Sequence, residues 1–432
     1  GSDAISDLSG NHVIQVGASG TLTANGITNF VATASSSNAG TANLNAAAGG
    51  GVINMTNSGS GNYIISGGAG TDTLTGGSGD DTFKINLTTE GDADTVDGKG
   101  GANTLELSTG VHTLTTNSKL LNIQTIKTNS SGSQLDLTNQ SEDFTIEVGG
   151  GTDNVKGGSG ADTIKVNSAG QGDADTLDGG AGTSDILQLS AGSHSFTDNS
   201  KLANVETIKG HASSATTVVL TGQLETLKVD GGSAGDTITG GNGDDIITGG
   251  GGDDIIAGGA GDDSLTGNAD NDTFKVDGGT DTITDLATGD VLVVSSGATA
   301  NATNISAFVA TNSTSNSGTA NLTAATGGGT IDVGNSTTGA YNLTGLSGAG
   351  TRTKTIETAL FTCPDIFYGD YRWQSDLKQN GDMYGRAIST VAGLVGGGPL
   401  LFQSNANCYN AQLQHAINGY TTSDDGDSDD DG

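Results

Sequence analysis

The sequence is poor in several residue types that ordinary globular proteins use freely. Its 432 residues include two prolines, two cysteines and two methionines, and aromatic residues make up 4% of the chain. So few cysteines exclude a disulfide-rich scaffold and a cysteine-based metal cluster. Glycine is abundant, with 74 residues, but the scarcity of proline and the lack of a Gly-x-y period exclude collagen. The regularly spaced Val, Ile and Leu residues favour many thin layers of sheet over one thick core.

Basic residues are also scarce. The chain has 15 Lys and Arg residues against 49 Asp and Glu residues, which gives a formal net charge of −34. This charge repels nucleic acids and anionic membrane surfaces, so we expect neither as a partner, and it favours cations. The sequence also lacks an apolar run of the roughly 18 residues that a membrane-spanning helix needs, so no membrane insertion is expected.

A nine-residue repeat is the strongest pattern in the sequence. It reads Gly-Gly-x-Gly-x-Asp-x-apolar-x and occurs at 67–75, 76–84 and 157–165, then in series over 231–275. A weaker copy at 179–187, GGAGTSDIL, carries its aspartate one position late. The glycines allow the positive φ angles of tight turns, and the second half of the repeat is short and β-prone.

Nine residues cannot bury a core alone, so these repeats must stack. We therefore predict an all-β fold, a parallel β-roll or β-solenoid with about two nonapeptides in each coil. The eighth-position residues should form its internal ladder: Leu74, Phe83, Ile164, Ile247, Ile256, Leu265 and Phe274.

Longer repeats enclose the nonapeptides. Residues 76–148 align with 157–229 as two copies of an 81-residue unit, and FVATASSSNAGTANL, from Phe30, returns as FVATNSTSNSGTANL, from Phe308. Residues 351–432 differ in composition and hold both prolines, both cysteines and the single Trp. We predict an N-terminal β module (1–66), a first solenoid unit (67–156), a second solenoid unit (157–230), the main calcium block (231–287), a second copy of the N-terminal module (288–350), a small distinct C-terminal domain (351–422) and an acidic tail (423–432).

Stacking places the sixth-position aspartates of alternate repeats above one another, about 4.8 Å apart. Carboxylates at this spacing repel each other unless a cation neutralises them. Ca²⁺ fits best because it accepts many carboxylate and carbonyl oxygens in loose geometry, whereas Mg²⁺ demands a stricter octahedron. Transition metals prefer His or Cys, and the turns contain neither.

The nonapeptide GGxGxDxUx resembles the RTX calcium-binding repeat. The resemblance implies a parallel β-roll that holds several Ca²⁺ ions between its turns, secretion by the type I route, and ligands from the sixth-position aspartates and turn carbonyls. The 81-residue unit is also similar in style to bacterial surface-layer proteins and large RTX adhesins. Carried over by position, the metal ligands would be Asp72, Asp81, Asp162, Asp236, Asp245, Asp254, Asp263 and Asp272.

No residue group predicts catalysis, so we expect no enzyme. The G-x-S-x-G pattern at 231–235 lies inside a nonapeptide turn rather than between a strand and a helix, so we interpret it as coincidence. His112 and His194 occupy matched places in the two 81-residue copies, which favours a structural role. His415 has no recognisable nucleophile as a partner.

The C-terminal residues leave several alternatives open. Cys363 and Cys408 would form a disulfide in a secreted chain, or remain as free or intermolecular thiols. Residues 381–395 could form a helix, although their glycines disfavour one. The tail is either a disordered acidic segment or the opening of an EF-hand-type loop that lacks its closing Glu.

Taken together, the sequence predicts a calcium-dependent structural protein at the extracellular or bacterial cell surface. It would assemble with itself, head to tail, into a surface layer, a filament or an adhesin stalk, and cell-surface polysaccharide is a further candidate partner. The alternative is that the solenoid serves as a folding and export module for a lectin-like or enzymatic C-terminal domain.

Overall fold

The structure is a computed structural model that describes residues 1–85, 93–169 and 174–345, together with the backbone of two short strands, Arg352–Thr353 and Ala359–Phe361. It divides into two units, Gly1–Asp281 and a second unit that begins at Thr282. Apart from those two strands, the predictions made for 351–432 lie outside the described residues. These predictions are the domain at 351–422, the helix at 381–395, the pairing of Cys363 with Cys408, the role of His415 and the tail at 423–432.

The first unit consists of short strands joined by turns, with one 3-10 turn at Asn117–Lys119. Its strands are β1 (Ser2–Ile5), β2 (Gln15–Val16), β3 (Thr21–Ile27), β4 (Asn29–Val31), β5 (Ser37–Asn38), β6 (Thr41–Ala46), β7 (Val52–Asn54), β8 (Ile64–Ser66), β9 (Thr73–Thr75), β10 (Thr82–Ile85), β11 (Thr95–Asp97), β12 (Thr104–Leu107), β13 (Gly110–Thr113), β14 (Leu120–Leu121), β15 (Thr125–Lys127), β16 (Ser133–Asp136), β17 (Thr145–Val148), β18 (Asn154–Lys156), β19 (Thr163–Val166), β20 (Thr176–Asp178), β21 (Ile186–Leu189), β22 (Gly192–Ser195), β23 (Leu202–Ala203), β24 (Thr207–Lys209), β25 (Thr216–Val219), β26 (Lys228–Gly232), β27 (Thr237–Thr239), β28 (Ile246–Gly250), β29 (Ile255–Ala257), β30 (Ser264–Asn268) and β31 (Thr273–Val276).

These strands stack in parallel, each on the equivalent strand of the next coil. The main sheet of the first unit follows the order β1-β3-β6-β8-β10-β12-β15-β17-β19-β21-β24-β26-β28-β30. The opposite face is built from three shorter sheets, β4-β7-β9-β11-β14, β13-β16-β18-β20-β23 and β22-β25-β27-β29-β31. In the main block Val229 pairs with Ile247 and Ile247 with Leu265, so each coil uses two nonapeptides. The predicted parallel β-solenoid is confirmed.

The core consists of apolar side chains from both faces, which form one stack on each face. All the eighth-position residues named above are at most 1% exposed. On the main sheet the register stacks Phe83 on Leu105 and Leu105 on Ile126. Burial of each such side chain contributes about 1.5–3 kcal/mol to stability. The strands are short, so each coil buries few such side chains. Each coil is therefore stable only against its neighbours.

The second unit repeats the strands of the N-terminal module. Strand β32 (Thr280–Ile283) precedes β33 (Val291–Val294), β34 (Thr299–Ile305), β35 (Ala307–Val309), β36 (Ser315–Asn316), β37 (Thr319–Ala324), β38 (Thr330–Asp332), β39 (Tyr341–Thr344), β40 (Arg352–Thr353) and β41 (Ala359–Phe361). Strands β34, β37, β39 and β41 pair in parallel, as do β35, β38 and β40. The β3–β6 register shifts between Ala24 and Ile27, and the β34–β37 register shifts between Ala302 and Ile305. The internal repeat is therefore structural as well as sequential.

Within the part of the chain that the structure describes, no helix is long and apolar enough to cross a membrane.

Candidate metal centre

The sixth-position aspartates form two ladders, one along each edge of the main sheet. In the first ladder, the Asp245 amide donates to Asp263 Oδ1 at 2.8 Å, and the Asp263 amide donates to Asp281 Oδ1 at 3.2 Å. In the second ladder, the Asp236 amide donates to Asp254 Oδ1 at 2.6 Å, and the Asp254 amide to Asp272 Oδ1 at 2.9 Å. Each aspartate is thus tied to the residue above it in the preceding coil, as the predicted columns require.

The ladders extend through coils that lack the nonapeptide spacing. The Asp72 amide donates to Asp94 Oδ1 at 2.9 Å, the Asp153 amide to Asp175 Oδ1 at 2.8 Å and the Asp162 amide to Asp185 Oδ1 at 2.7 Å. The ligand set predicted from the sequence does not include these added rungs, which are at most 2% exposed: Asp94, Asp153, Asp175, Asp185 and Asp281. Turn lengths vary in these coils, so the glycines and the aspartate do not keep the spacing of the nonapeptide. The shorter pattern Asp-x-apolar, which all five share, would have found them.

The second carboxylate oxygen divides the turns into two classes. In a closed turn the amide of the second glycine donates to Oδ2, as Gly241 does to Asp245 at 2.8 Å. In an open turn the second glycine has a positive φ, such as 118° at Gly250, and the buried Oδ2 has no hydrogen-bond partner. The closed turns hold Asp72, Asp81, Asp162 and Asp245. The open turns hold Asp185, Asp236, Asp254 and Asp263, each following a positive-φ glycine at 180, 232, 250 or 259.

Burial makes these carboxylates poor acids. Desolvation, with a smaller contribution from neighbouring aspartates, raises the pKa of Asp254 and of Asp281 to about 7. The same causes raise the pKa of Asp263 and of Asp185 to about 6. A buried anion with an unsatisfied oxygen is costly, at about 1–3 kcal/mol or more for the lost hydrogen bond alone. At neutral pH the open turns therefore favour any group that supplies positive charge to Oδ2.

The donor set at these turns fits a hard cation. A Cβ at Gly231 would lie 2.4 Å from the Gly249 carbonyl oxygen and 2.6 Å from Asp236 Oδ2, so carboxylate and carbonyl oxygens converge on a space that only glycine leaves open. Among the described residues no three side chains of Asp, Glu, His or Cys group together as a metal site. Carbonyl oxygens must therefore complete the coordination, and a mixed set of carboxylate and carbonyl oxygens suits Ca²⁺.

Comparison with known families agrees with this geometry. A family model described as the RTX calcium-binding nonapeptide repeat (4 copies) matches residues 57–83, 86–106, 147–186, 230–265 and 248–283. The chain therefore contains RTX calcium-binding repeats. No curated protein and no solved structure matches it. The matched segments include the irregular rungs Asp94, Asp153, Asp175 and Asp185.

RTX repeats bind calcium, and the β-roll that they form is typically structural rather than catalytic. The structure places all eight sixth-position aspartates inside RTX turns, where each is at most 2% exposed. Their assignment as calcium ligands stays a prediction, which the open turns at Asp236, Asp254 and Asp263 support most directly.

The fifth-position aspartates of the RTX turns have a different environment. Asp244, Asp253 and Asp262 are exposed to solvent. Each still accepts one backbone hydrogen bond from the following coil, for example from the Asp262 amide to Asp244 Oδ1 at 2.8 Å. They brace the outer edge of the RTX roll, and an amide side chain could replace them in that contact.

The remaining candidates from the sequence take part in local structure. Ser233 donates its hydroxyl hydrogen to the Ala212 carbonyl at 2.8 Å within an RTX turn. His112 and His194 are both buried, and each contacts the carbonyl oxygen four residues earlier through Nε2 at 2.9 Å. Burial lowers the pKa of both imidazoles. Their matched surroundings fit the structural role predicted for them.

Proposed function

We propose that this protein is a calcium-dependent structural protein of the extracellular or bacterial cell surface, and that it assembles with itself. The observation that carries the calcium dependence is a set of buried carboxylate oxygens without hydrogen-bond partners. These oxygens are Oδ2 of Asp153, Asp175, Asp185, Asp236, Asp254, Asp263 and Asp281. In such a site the free energy of binding becomes free energy of folding.

The proposed extracellular location follows from the proposed calcium dependence of folding. RTX-repeat proteins are typically secreted, and the formal charge of −34 opposes compaction until cations are bound. A chain of this kind would pass through a type I export channel unfolded and fold where calcium is abundant. Several Ca²⁺ ions, one for each open turn, would be its cofactors.

Self-assembly is supported by the repeated N-terminal module. In both copies the outer face of the sheet carries uncharged Thr and Asn side chains linked between coils. Asn45 donates to Asn25 at 2.8 Å in the first unit, and Asn321 donates to Asn301 at 2.7 Å in the second. On so acidic a protein, an uncharged face is where two copies would meet with the least repulsion. A surface layer, a filament or an adhesin stalk would use it in head-to-tail contacts, and cell-surface polysaccharide could bind the same hydroxyl and amide groups.

Two measurements test this proposal in sequence. Circular dichroism during a calcium titration should show β structure forming as calcium is added and lost with chelator, and a spectrum indifferent to chelator would refute calcium dependence. Electron microscopy of the calcium-loaded protein should then show filaments or sheets. A monodisperse monomer would refute self-assembly and favour a folding and export module with a lectin-like or enzymatic C-terminal domain.

A further inference from the structure

The outer face of the main sheet carries two columns of side chains between β10 and β26. Each strand directs two side chains outward here, because alternate residues of a strand point to opposite faces. One column is mostly threonine, and the other alternates in charge. In the order of the stacked coils, the charged column reads Lys84, Glu106, Lys127, Glu147, Lys165, Gln188, Lys209 and Asp230. Four lysines against three acidic residues give this column a net charge of +1, on a chain of formal net charge −34.

Two lysines of the charged column have no ion pair among the described residues. Lys165 and Lys209 lie on either side of the uncharged Gln188, and neither takes part in an ion pair of the described part of the chain. Glu106 and Glu147 each bind one lysine of their own chain, at 2.9 and 3.0 Å, yet their side chains remain 40% and 30% exposed. These carboxylates can therefore accept a second ammonium group from outside the chain.

The charged column is complementary to itself when its order is reversed. A two-fold axis that runs parallel to the strands and passes between β17 and β19 reverses the order of the coils and keeps the strand direction. The facing residues of two copies, each pair occurring twice by symmetry, are then Lys84 with Asp230, Glu106 with Lys209, Lys127 with Gln188 and Glu147 with Lys165. Three of these pairs join opposite charges, the fourth joins a lysine to a neutral amide, and no like charges meet.

The neighbouring column fits the same symmetry. Its facing pairs are Thr82 with Lys228, Thr104 with Thr207, Thr125 with Ile186 and Thr145 with Thr163. One coil further out at each end, Ile64 of β8 would face Ile246 of β28. Ile246 is one of the few large apolar side chains on the surface, at 49% exposed. An apolar contact would therefore close each end of the charged stretch.

The charge pattern also excludes the other ways of packing this face on itself. A two-fold axis along the direction of the stacked coils would set each coil against its own copy, so that lysine meets lysine. A shift of the antiparallel arrangement by one coil would also bring like charges together, and such contacts oppose the wrong register. Ten coils of about 4.8 Å and strands of about 13 Å give roughly 600 Å² on each copy. The resulting total of roughly 1,200 Å² lies at the lower limit of specific interfaces, which indicates a pairing of modest affinity.

We propose that the outer face of the main sheet, from β8 to β28, binds a second copy of this chain in an antiparallel, two-fold pair. Lys165 and Lys209 obtain their carboxylates from Glu147 and Glu106 of the second copy. Two sheets packed in this way keep their strands aligned, as face-to-face sheets generally do. This pairing uses other coils than the uncharged modules proposed for head-to-tail contacts and does not depend on them. It joins two molecules side by side.

Carbodiimide cross-linking of the full chain in calcium, followed by mass spectrometry of its peptides, tests the proposal. This reagent joins an amine directly to a carboxylate. Within one chain Glu106 and Lys209 are about 24 Å apart, and Lys84 and Asp230 about 34 Å, so either product can form only between two molecules. We expect both, together with the within-chain product of Lys84 and Glu106. If only the within-chain product forms, the proposal is wrong, and if that product is also absent, the stacked register on which it rests is refuted.

Charge reversal tests the same contact by sedimentation velocity. Lys165→Glu should raise the Kd of the pair at least about tenfold, because two carboxylates then face each other at both symmetry-related positions. Adding Glu147→Lys should restore pairing, because opposite charges face each other again. The matched control is Lys275→Glu, which makes the same charge change on β31 of the opposite face. An equal loss in this control, or no recovery in the double variant, would overturn the proposal; should Lys165→Glu misfold, the wild-type cross-links still decide.

Discussion

Replacing Asp254 with asparagine should change stability in opposite directions with and without calcium. Asp254 is 1% exposed, its Oδ1 accepts the Asp236 amide at 2.6 Å, and its Oδ2 has no partner. Asparagine preserves the Oδ1 contact, is nearly identical in shape and replaces the unpaired oxygen by a donor. The substitution therefore removes the charge and leaves the fold of the turn intact.

The magnitude without calcium follows from the pKa of Asp254. Burial, and then the neighbouring aspartates, raise this pKa from 3.8 to about 7. One pKa unit corresponds to about 1.4 kcal/mol, so at pH 8 the ionised carboxylate destabilises the calcium-free fold by about 2–4 kcal/mol. Asp254→Asn should recover most of that free energy. It should raise the thermal unfolding midpoint in chelator.

With calcium the sign reverses. A site saturated at 1,000 times its Kd stabilises the fold by about 4 kcal/mol, and the variant lacks a charged ligand at this site. Thermal melts followed by circular dichroism, in chelator and in saturating calcium, measure both effects. Asp253→Asn is the control, because Asp253 is exposed and its amide replacement can still accept the Asn271 amide, now 2.9 Å from Oδ1. Destabilisation of Asp254→Asn under both conditions would refute the reasoning.

Three further predictions concern pH, the open turn and the core. The folded-state pKa values of Asp254, Asp263 and other rungs are raised to about 6–7. Without calcium, the contribution of these groups to stability should therefore be fully present below about pH 4 and lost as the pH rises through 6–7. A higher thermal midpoint at pH 8 than at pH 5, both in chelator, would contradict this. Gly250→Ala should destabilise the fold by at least about 1–3 kcal/mol in urea unfolding, because φ is 118° and a Cβ would lie 1.9 Å from the Gly232 carbonyl oxygen. The control Gly251→Ala should not destabilise it, because no atom lies nearer than 3.6 Å to the added Cβ. Ile247→Ala should lower the free energy of unfolding by about 2–5 kcal/mol in urea denaturation. The side chain of Ile246 is 49% exposed, so an equal loss in Ile246→Ala would contradict the assignment of Ile247 to the core.

The sequence predicted the features that depend on period. The eighth-position column and the two-repeat coil follow from a fixed spacing, so Ile247 and Leu265 could be placed in the core without a structure. Asp153 did not fit this spacing because its turn is one residue too short, and Asp185 appeared only as a displaced aspartate because its turn is one residue too long. The difference between open and closed turns is also hidden from sequence. Gly240 and Gly249 begin turns of the same motif, yet only the second has a flipped glycine, because peptide orientation depends on contacts with the adjacent coil.

Charged side chains on the outer face of the main sheet alternate in sign from coil to coil, in contrast to the aspartate ladders. A parallel register stacks each side chain on its counterpart, so a strict repeat would place like charges in contact. On the outer face this is avoided, because Lys84 stacks on Glu106 and Lys127 on Glu147, with Nζ to Oε2 distances of 2.9 and 3.0 Å. These exposed pairs each contribute less than about 1 kcal/mol, but they remove the repulsion that identical charges would produce.

At the edges of the sheet, the parallel register stacks side chains of the same charge. There it stacks Asp236, Asp254 and Asp272 in one ladder, without a lysine between them, and buries all three. The coils over 82–166 thus pair opposite charges on the outer face, whereas the coils over 236–272 repeat one charge at a buried edge. At neutral pH, stacked and buried carboxylates destabilise the fold unless cations neutralise them. Under the proposed function, the ladders would make folding at neutral pH depend on calcium, whereas the opposite charges of the outer face add no repulsion with or without it.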